Sequence, residues 1–355
     1  MKSILKLTFT FSVILFLCSA NGEPELTEIT VNRDKESPLP LSKITEKVEA
    51  IELEVTDQSL ISRVNRVLCS DKYIIVVCGQ KSIMLFDKSG KFIRQIGSAG
   101  PGPEEYTRIV DITSDNKKGH VYVSASDGKI LCYDFEGNFI RKSLSGFGGN
   151  YINYVHDRLL VIVEKAITEG RERMSRSCVY MMDDNLSKTD SVEIRRIVLN
   201  GVWMHPYNDF ITDDGENLYL YYSDISTNPV VYDTLYQLKN KRLIPSLNLK
   251  FKNKGMKING DKDIYLMNIY KSSRYVFAVY KEDVNNQFYY FCHDMKDGES
   301  HNMKDGYTDD IHTGEKVKIR PFDSDANRFY YLHTNMGDSD MEEPNPTLYI
   351  GTLKK

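Results

Sequence analysis

YIIVVCGQKSIMLFDKSGKFIRQIG, residues Tyr73 to Gly97, is the stretch whose reading decides the fold. It divides into three short runs: Tyr73 to Cys78, Ser82 to Asp87 and Phe92 to Gly97. Lys88-Ser89-Gly90 lies between the last two, and glycine takes the positive φ that a tight hairpin needs. No long stripe of period 3.6 is present, so the unit predicts neighbouring strands rather than a helix.

The unit returns along the chain. Strands resembling Tyr73 to Cys78 recur at His120 to Ala125, Arg158 to Glu164, Asn217 to Ser223, Arg274 to Lys281 and Arg328 to Thr334, which makes six copies. Most are followed by an apolar or aromatic run ending in aspartate, at Asp87, Asp134, Asp183, Asp233 and Asp294. These aspartates are 47, 49, 50 and 61 residues apart, a period that suits a four-stranded blade. Leu60 to Leu68 supplies the innermost strand of the first blade. The sixth copy has strands at Arg328 to Thr334 and Thr347 to Leu353 and then runs out of chain. Upstream, Val48 to Val55 alternates as a strand but has no hairpin partner. It predicts the missing edge, pairing the two ends of the sequence and closing a ring. The expectation is an all-β, six-bladed β-propeller of four-stranded antiparallel blades, its last blade closed by an N-terminal strand.

Composition agrees: 41% of the 355 residues are hydrophobic and 27% charged, and 23 Tyr and 15 Phe favour pleated surfaces. Residues 1–20 carry Lys2 and Lys6, an apolar run from Leu7 to Leu17 and the small residues Cys18-Ser19-Ala20, the layout of a signal peptide. Cys18 followed by Ser19-Ala20-Asn21-Gly22-Glu23 resembles lipoprotein export signals of the Bacteroidetes group, which makes Cys18 a lipidation candidate. Leu17 stands where such signals place a small residue, so cleavage after Ala20 is the alternative. Residues 21–40, with Pro24, Pro38 and Pro40, read as a polar tether, and 41–355 as the propeller. Without Lys2 and Lys6 the formal charge moves from -4 to -6, and no long basic block exists, which argues against nucleic acid as a partner. Beyond Cys18, Cys69, Cys78, Cys132, Cys178 and Cys292 are widely spaced inside apolar runs and read as buried small hydrophobes rather than a disulfide framework.

Leu41 to Val55, the strand triplet, and Ile96 to Tyr106 (IGSAGPGPEEY) together resemble the six-bladed β-propeller family of exported Bacteroidetes proteins, with NHL- and TolB-like repeats as more distant relatives. The resemblance spans roughly residues 41 to 353, is strongest from Leu41 to Leu144 and returns at VVYDTLYQL, Val230 to Leu238. It implies a propeller at the cell envelope and transfers no catalytic residue.

Topology then limits where a site can be. In a four-stranded blade the connections between strands two and three, and from blade to blade, emerge at one face; the Gly90 and Gly137 turns emerge at the other. Long connections, including Ala166 to Ser177 and Asn335 to Pro346, gather at the first face, where a site is expected. Val202 to Asp209 places Trp203, His205 and Tyr207 on one connection, aromatic faces beside a hydrogen-bonding ring that suit a sugar or a peptide. Tyr106 and Arg108 follow the glycine- and proline-rich crossover, while Arg171 and Arg173 stand opposite the acidic group Asp338, Asp340, Glu342 and Glu343. The crossover lacks the lysine and helix start of a phosphate loop. Asp323 to Asn327 begins like a calcium loop, but Arg328 and Thr334 stand where glycine and glutamate belong, so calcium is a weak expectation and no metal ligand set is assigned. The function expected is recognition of a glycan, peptide or envelope protein. The alternative is a channel-sited hydrolase or lyase, lactonase-like or glycan-cleaving, using carboxylates on the propeller axis.

Overall fold

The computed structural model describes residues 26–143, 151–198, 210–223, 230–252, 262–282, 286–322, 324–334 and 344–355. Six sheets follow one another around a ring. From the innermost strand outward, blade 1 holds Val64–Cys69, Tyr73–Cys78, Ser82–Asp87 and Phe92–Gln95. Blade 2 repeats it with Ile109–Asp115, His120–Ala125, Ile130–Asp134 and Phe139–Lys142. Blade 3 holds Tyr151–Val155, Arg158–Glu169, Glu172–Met182 and Lys188–Val198. In blade 5 the strands are Ile264–Lys271, Tyr275–Glu282, Gln287–Asp294 and Ser300–Lys304. Blade 6 runs Arg320–Phe322, Asp325–His333 and Thr347–Leu353, and its outer strand is Thr45–Glu52 from the other end of the chain. That strand pairs antiparallel with Thr347–Leu353, so the expected closure holds, three residues earlier than the sequence pattern placed it.

Stacking of blades explains the sequence pattern. Strands two and three of a blade are sandwiched between neighbouring blades, so both of their faces need apolar side chains and they read as continuous runs. Tyr73–Cys78 is buried from its second residue onward, whereas Phe92–Gln95 at the rim is largely exposed. The apolar core is accordingly divided into six clusters among the described residues, one at each seam between adjacent blades. Leu68, Ile75 and Leu85 of blade 1 meet Ile112, Val121 and Val123 of blade 2 in one of them. The seam that shuts the ring joins Val67 and Ile74 to Tyr330, Leu348 and Ile350. All five described cysteines are free and buried, and Cys69, Cys78, Cys132 and Cys292 sit in these seams.

Three expectations change. First, the described part of the tether is not a tether. Thr27–Val31 adds a fifth strand to blade 4, parallel to Arg242–Phe251, with Ile29 and Val31 in the seam to blade 5. Arg33 then bridges Asp263 and Glu282, each at 2.9 Å, and Leu39, Leu41 and Ile44 enter the seam between blades 5 and 6. The physical reason is that Ile29, Val31 and Leu39 gain burial at a sheet edge that would otherwise be bare.

Second, blade 4 does not use Val230 to Asp233 as its third strand. It uses Thr234–Lys239, which turns through Asn240 and Lys241 into Arg242–Phe251. Both turn residues have positive φ (50° and 61°), the geometry of a two-residue hairpin. Asp233 therefore precedes its strand and accepts a bond from Asn248. Third, Ala166 to Ser177 is not a loop. The second and third strands of blade 3 continue through it and reverse at Gly170 (φ 63°), forming a hairpin longer than those of its neighbours.

Candidate functional site

The two ends of the ring differ in how their polar side chains are used. At the end carrying the turns between strands one and two, neighbouring blades are laced together. Lys117 of blade 2 meets Asp157 of blade 3 at 2.9 Å, and His156 meets Asp213 of blade 4 at 3.1 Å. Lys271 of blade 5 donates to Asp214 at 2.9 Å and to the Tyr219 hydroxyl at 3.2 Å. Asn327 of blade 6 donates to the Asp214 carbonyl at 2.8 Å while its amide oxygen accepts from Ser273. Burial works against the Asp214 carboxylate, but the Lys271 ammonium and the backbone donors of Asn217 and Glu216 outweigh it and hold its pKa below the ordinary value. Asp325, from the segment read as a weak calcium loop, accepts from the Asn327 backbone in a turn. A pocket of ≈ 440 Å³ does open near this end, but Asp157, Asp184 and Asp190 on its wall face Lys117, Lys118 and Lys241.

Polar groups also lie along the inner strands. Arg66 and Asp111, with side chains 4% and 0% exposed, approach to 3.3 Å, and Asp111 accepts from the Ile152 backbone at 2.9 Å. Thr113 accepts from Tyr154, and Asn153 donates to the Ile211 carbonyl. Each bond joins one blade's inner strand to the next, so these buried groups fix the ring. Among the described residues no group of three or more His, Cys, Asp or Glu converges in a way that would hold a metal.

The long-loop end is organised differently. One pocket of ≈ 620 Å³ is lined by Leu60, Ser62, Arg63 and Asn65 before and within the inner strand of blade 1, by Cys78 to Ser82 in its second turn, and by Arg108 at the start of blade 2. A second, ≈ 420 Å³, lies between Val64 and Asn65 on one side and Glu315 to Lys318, Arg320 and Tyr330 to Thr334 on the other. Asn65 lines both, so the two adjoin, and together they are taken as one groove over blades 6, 1 and 2. Its charge is lopsided. Among the described residues, Arg63, Lys81, Arg108, Lys316, Lys318 and Arg320 face it with one carboxylate, Glu315, which sits 3.5 Å from His333. Lys316 also reaches the Thr308 hydroxyl at 3.2 Å.

The residues expected to form a site do not all meet here. Arg108 is on the groove wall. Tyr106 is not a surface residue: it is fully buried in the seam between blades 1 and 2, donates to the Ile96 carbonyl at 3.3 Å and packs edge-on against Tyr133. The crossover folds back on itself through Gly100 and Tyr106 backbone bonds, with Glu105 bonding the Gly102 amide, and that inward turn carries the ring into the core. Arg171 and Arg173 are exposed at the tip of the blade 3 hairpin. Trp203, His205, Tyr207 and Cys18 lie outside the described residues, as do Asp338, Asp340, Glu342 and Glu343. Arg63, Lys81, Lys318 and Arg320 were not singled out from sequence because they are scattered over some 260 positions with no local run.

A closed ring of six blades, each built on four antiparallel strands, defines a six-bladed β-propeller. The chain belongs to the family described as "Domain of unknown function (DUF4934)", whose profile matches residues 26–348. Among solved structures it is similar to a Bacteroides fragilis protein assigned as exported, with 16% identity, 93% of this chain and 100% of that one covered, and a TM-score of 0.64. Similarity also extends to BamB from Moraxella catarrhalis, at 11% identity, 87% and 99% coverage and a TM-score of 0.41. No curated protein matches the chain.

Proposed function

We propose that the protein is an exported cell-envelope propeller that recognises a glycan, peptide or protein partner through its long-loop face, held near the membrane where Cys18 is acylated. The observation that carries this reading is the contrast between the two ends: Lys117, His156 and Lys271 at the laced end are engaged with carboxylates of neighbouring blades, whereas Arg63, Lys81, Arg108 and Lys318 line a groove and engage no carboxylate among the described residues. Export rests on the leader-like residues 1–20 and on the likeness to the Bacteroides fragilis protein. The hydrolase reading is less well supported, since Asp111, Asp115, Asp213 and Asp214 are each committed to bonds that hold turns or join blades. Hydroxyl-radical footprinting of the purified protein, with and without a solubilised extract of envelope glycans and proteins, tests the assignment of the face. Protection at Arg63, Lys81 and Arg108 is expected; protection confined to residues 88–91 and 135–138 would overturn it.

A further inference from the structure

The groove's chemistry narrows the class of ligand. We infer that it binds an acidic polysaccharide, a chain whose sugars carry carboxylate or sulfate groups. This rests on the long-loop reading above and adds the ligand to it.

The charge argument comes first. The chain as a whole is acidic, at -4, yet among the described residues six cations and one carboxylate line the two adjoining pockets. Some described surface cations elsewhere are matched by a carboxylate, as in Lys118 with Asp184, Arg176 with Glu193 and Arg274 with Asp294. Arg63, Lys81, Arg108 and Lys318 have no such match among the described residues, and clustering them costs mutual repulsion that an anion would relieve. A concave site with walls of one sign concentrates its field and favours a ligand of the other.

Shape and neutral groups then choose among anions. The pockets are concave and meet at Asn65, which suits an extended chain lying across the mouth rather than the flat surface of a bilayer. Between the cations stand hydroxyls and amides: Ser62, Asn65, Gln80, Ser82 and Thr334. A sugar unit presents several hydroxyls for each acidic group, and that ratio matches a lining in which neutral donors and acceptors alternate with cations. Leu60, 52% exposed at the rim, offers an apolar surface to the C–H face of a ring. An acidic peptide would instead call for open apolar pockets between its charges, whereas Met84, Val317, Tyr330 and Tyr331 in the lining are buried in the blade seams, and Val64 and Leu332 pack against one of them.

The test is affinity electrophoresis and calorimetry of the purified protein against alginate and polygalacturonate as carboxylate polymers, chondroitin sulfate and dextran sulfate as sulfated ones, and neutral dextran. It is run at about 150 mM NaCl, where the screening length is about 8 Å and diffuse attraction is suppressed. Binding to at least one acidic polymer and none to dextran is expected. Arg63→Glu/Lys81→Glu/Arg108→Glu and, separately, Lys316→Glu/Lys318→Glu should weaken it by about tenfold or more, while Lys91→Glu/Lys296→Glu at the opposite end should leave it within about twofold. Circular dichroism confirms that each variant remains folded. If no acidic polymer binds but an acidic protein or vesicles of anionic phospholipid do, and the groove variants abolish that, the polysaccharide is wrong and the long-loop site stands. If an acidic polymer binds and only the opposite-end variant weakens it, both fall.

Discussion

Gly90 and Glu52 touch across the seam where the ring closes. Gly90, at φ 89° in the outer turn of blade 1, faces the backbone of Glu52 at the end of the strand that completes blade 6, and a Cβ at Gly90 would run into the Glu52 carbonyl oxygen. The next residues reinforce the contact: the Glu54 amide donates to the Gly90 carbonyl at 2.9 Å, and Glu54 accepts from the Phe92 amide at 2.8 Å. Gly137 repeats the arrangement between blades 1 and 2 with more room, a Cβ there lying 3.1 Å from the Gln95 carbonyl. Gly90→Ala should therefore cost more than the left-handed backbone alone, which accounts for about 1 kcal/mol. Urea unfolding should show a loss of about 2–4 kcal/mol for Gly90→Ala and a smaller loss for Gly137→Ala. Equal losses would mean that the closing seam carries no special constraint.

The strap formed by residues 27–44 predicts a second effect. Ile29 and Val31 are 4% and 0% exposed, and burying each is worth about 1.5–3 kcal/mol before the cost of ordering the segment is subtracted. Deleting residues 26–34 should lower stability and also bare the edge of Arg242–Phe251, which size-exclusion chromatography should register as concentration-dependent self-association. Ile29→Asp/Val31→Asp should reproduce both. A monomeric, equally stable truncation would show that the fifth strand is incidental.

How much of this was legible depends on where the information sits. The blades were, because stacking demands apolar side chains on both faces of Tyr73–Cys78 and its counterparts, a local signal that survives divergence. Ring closure was too, since a repeat short of one strand and an unpartnered strand point to each other. The strap was not: Thr27–Val31 is five residues of mixed character whose strand state exists only because Arg242–Phe251 offers it an edge. Blade 4 misled because an aspartate at the expected spacing, Asp233, fell just before its strand. The groove was least legible, because Arg63, Lys81, Arg108 and Lys318 become neighbours only when blades 6, 1 and 2 meet.

The Asp214 and Lys271 pair makes stability depend on pH. The folded carboxyl is held below its ordinary value, near 4, so its contribution is present above that pH and is lost as pH falls through the folded value. Burial disfavours the charged Lys271 ammonium, but Asp214 and Tyr219 raise its pKa overall; its contribution is present below about 10 and is lost as pH rises through the folded value. Both contributions therefore coexist between about pH 4 and 10. Asp214→Asn keeps an acceptor for the Glu216 and Asn217 amides but leaves the ammonium half-buried without its counter-charge. A loss of about 2–4 kcal/mol at neutral pH is expected, with a shallower decline than the parent between about pH 5 and 3. Identical acid slopes for the two proteins would remove Asp214 from the acid-labile groups.

Cysteine chemistry supplies a probe of the groove. Burial pushes the Cys132 thiol up to about 11 and holds that of Cys292 well above its ordinary value, so neither forms appreciable thiolate at about pH 8. Cys178 is raised as well and 3% exposed. Cys78 differs in position: it is on the wall of the ≈ 620 Å³ pocket, with its sulfur 3.7 Å from the Ser62 hydroxyl. Native labelling with a small methanethiosulfonate, read by peptide mass spectrometry, should modify Cys78 and leave Cys132, Cys178 and Cys292 untouched until denaturant is added. An acidic polymer bound in the groove should slow labelling of Cys78 by about tenfold, because the reagent and the ligand need the same opening. Unchanged Cys78 labelling in the presence of a saturating polymer would place the ligand elsewhere on the ring.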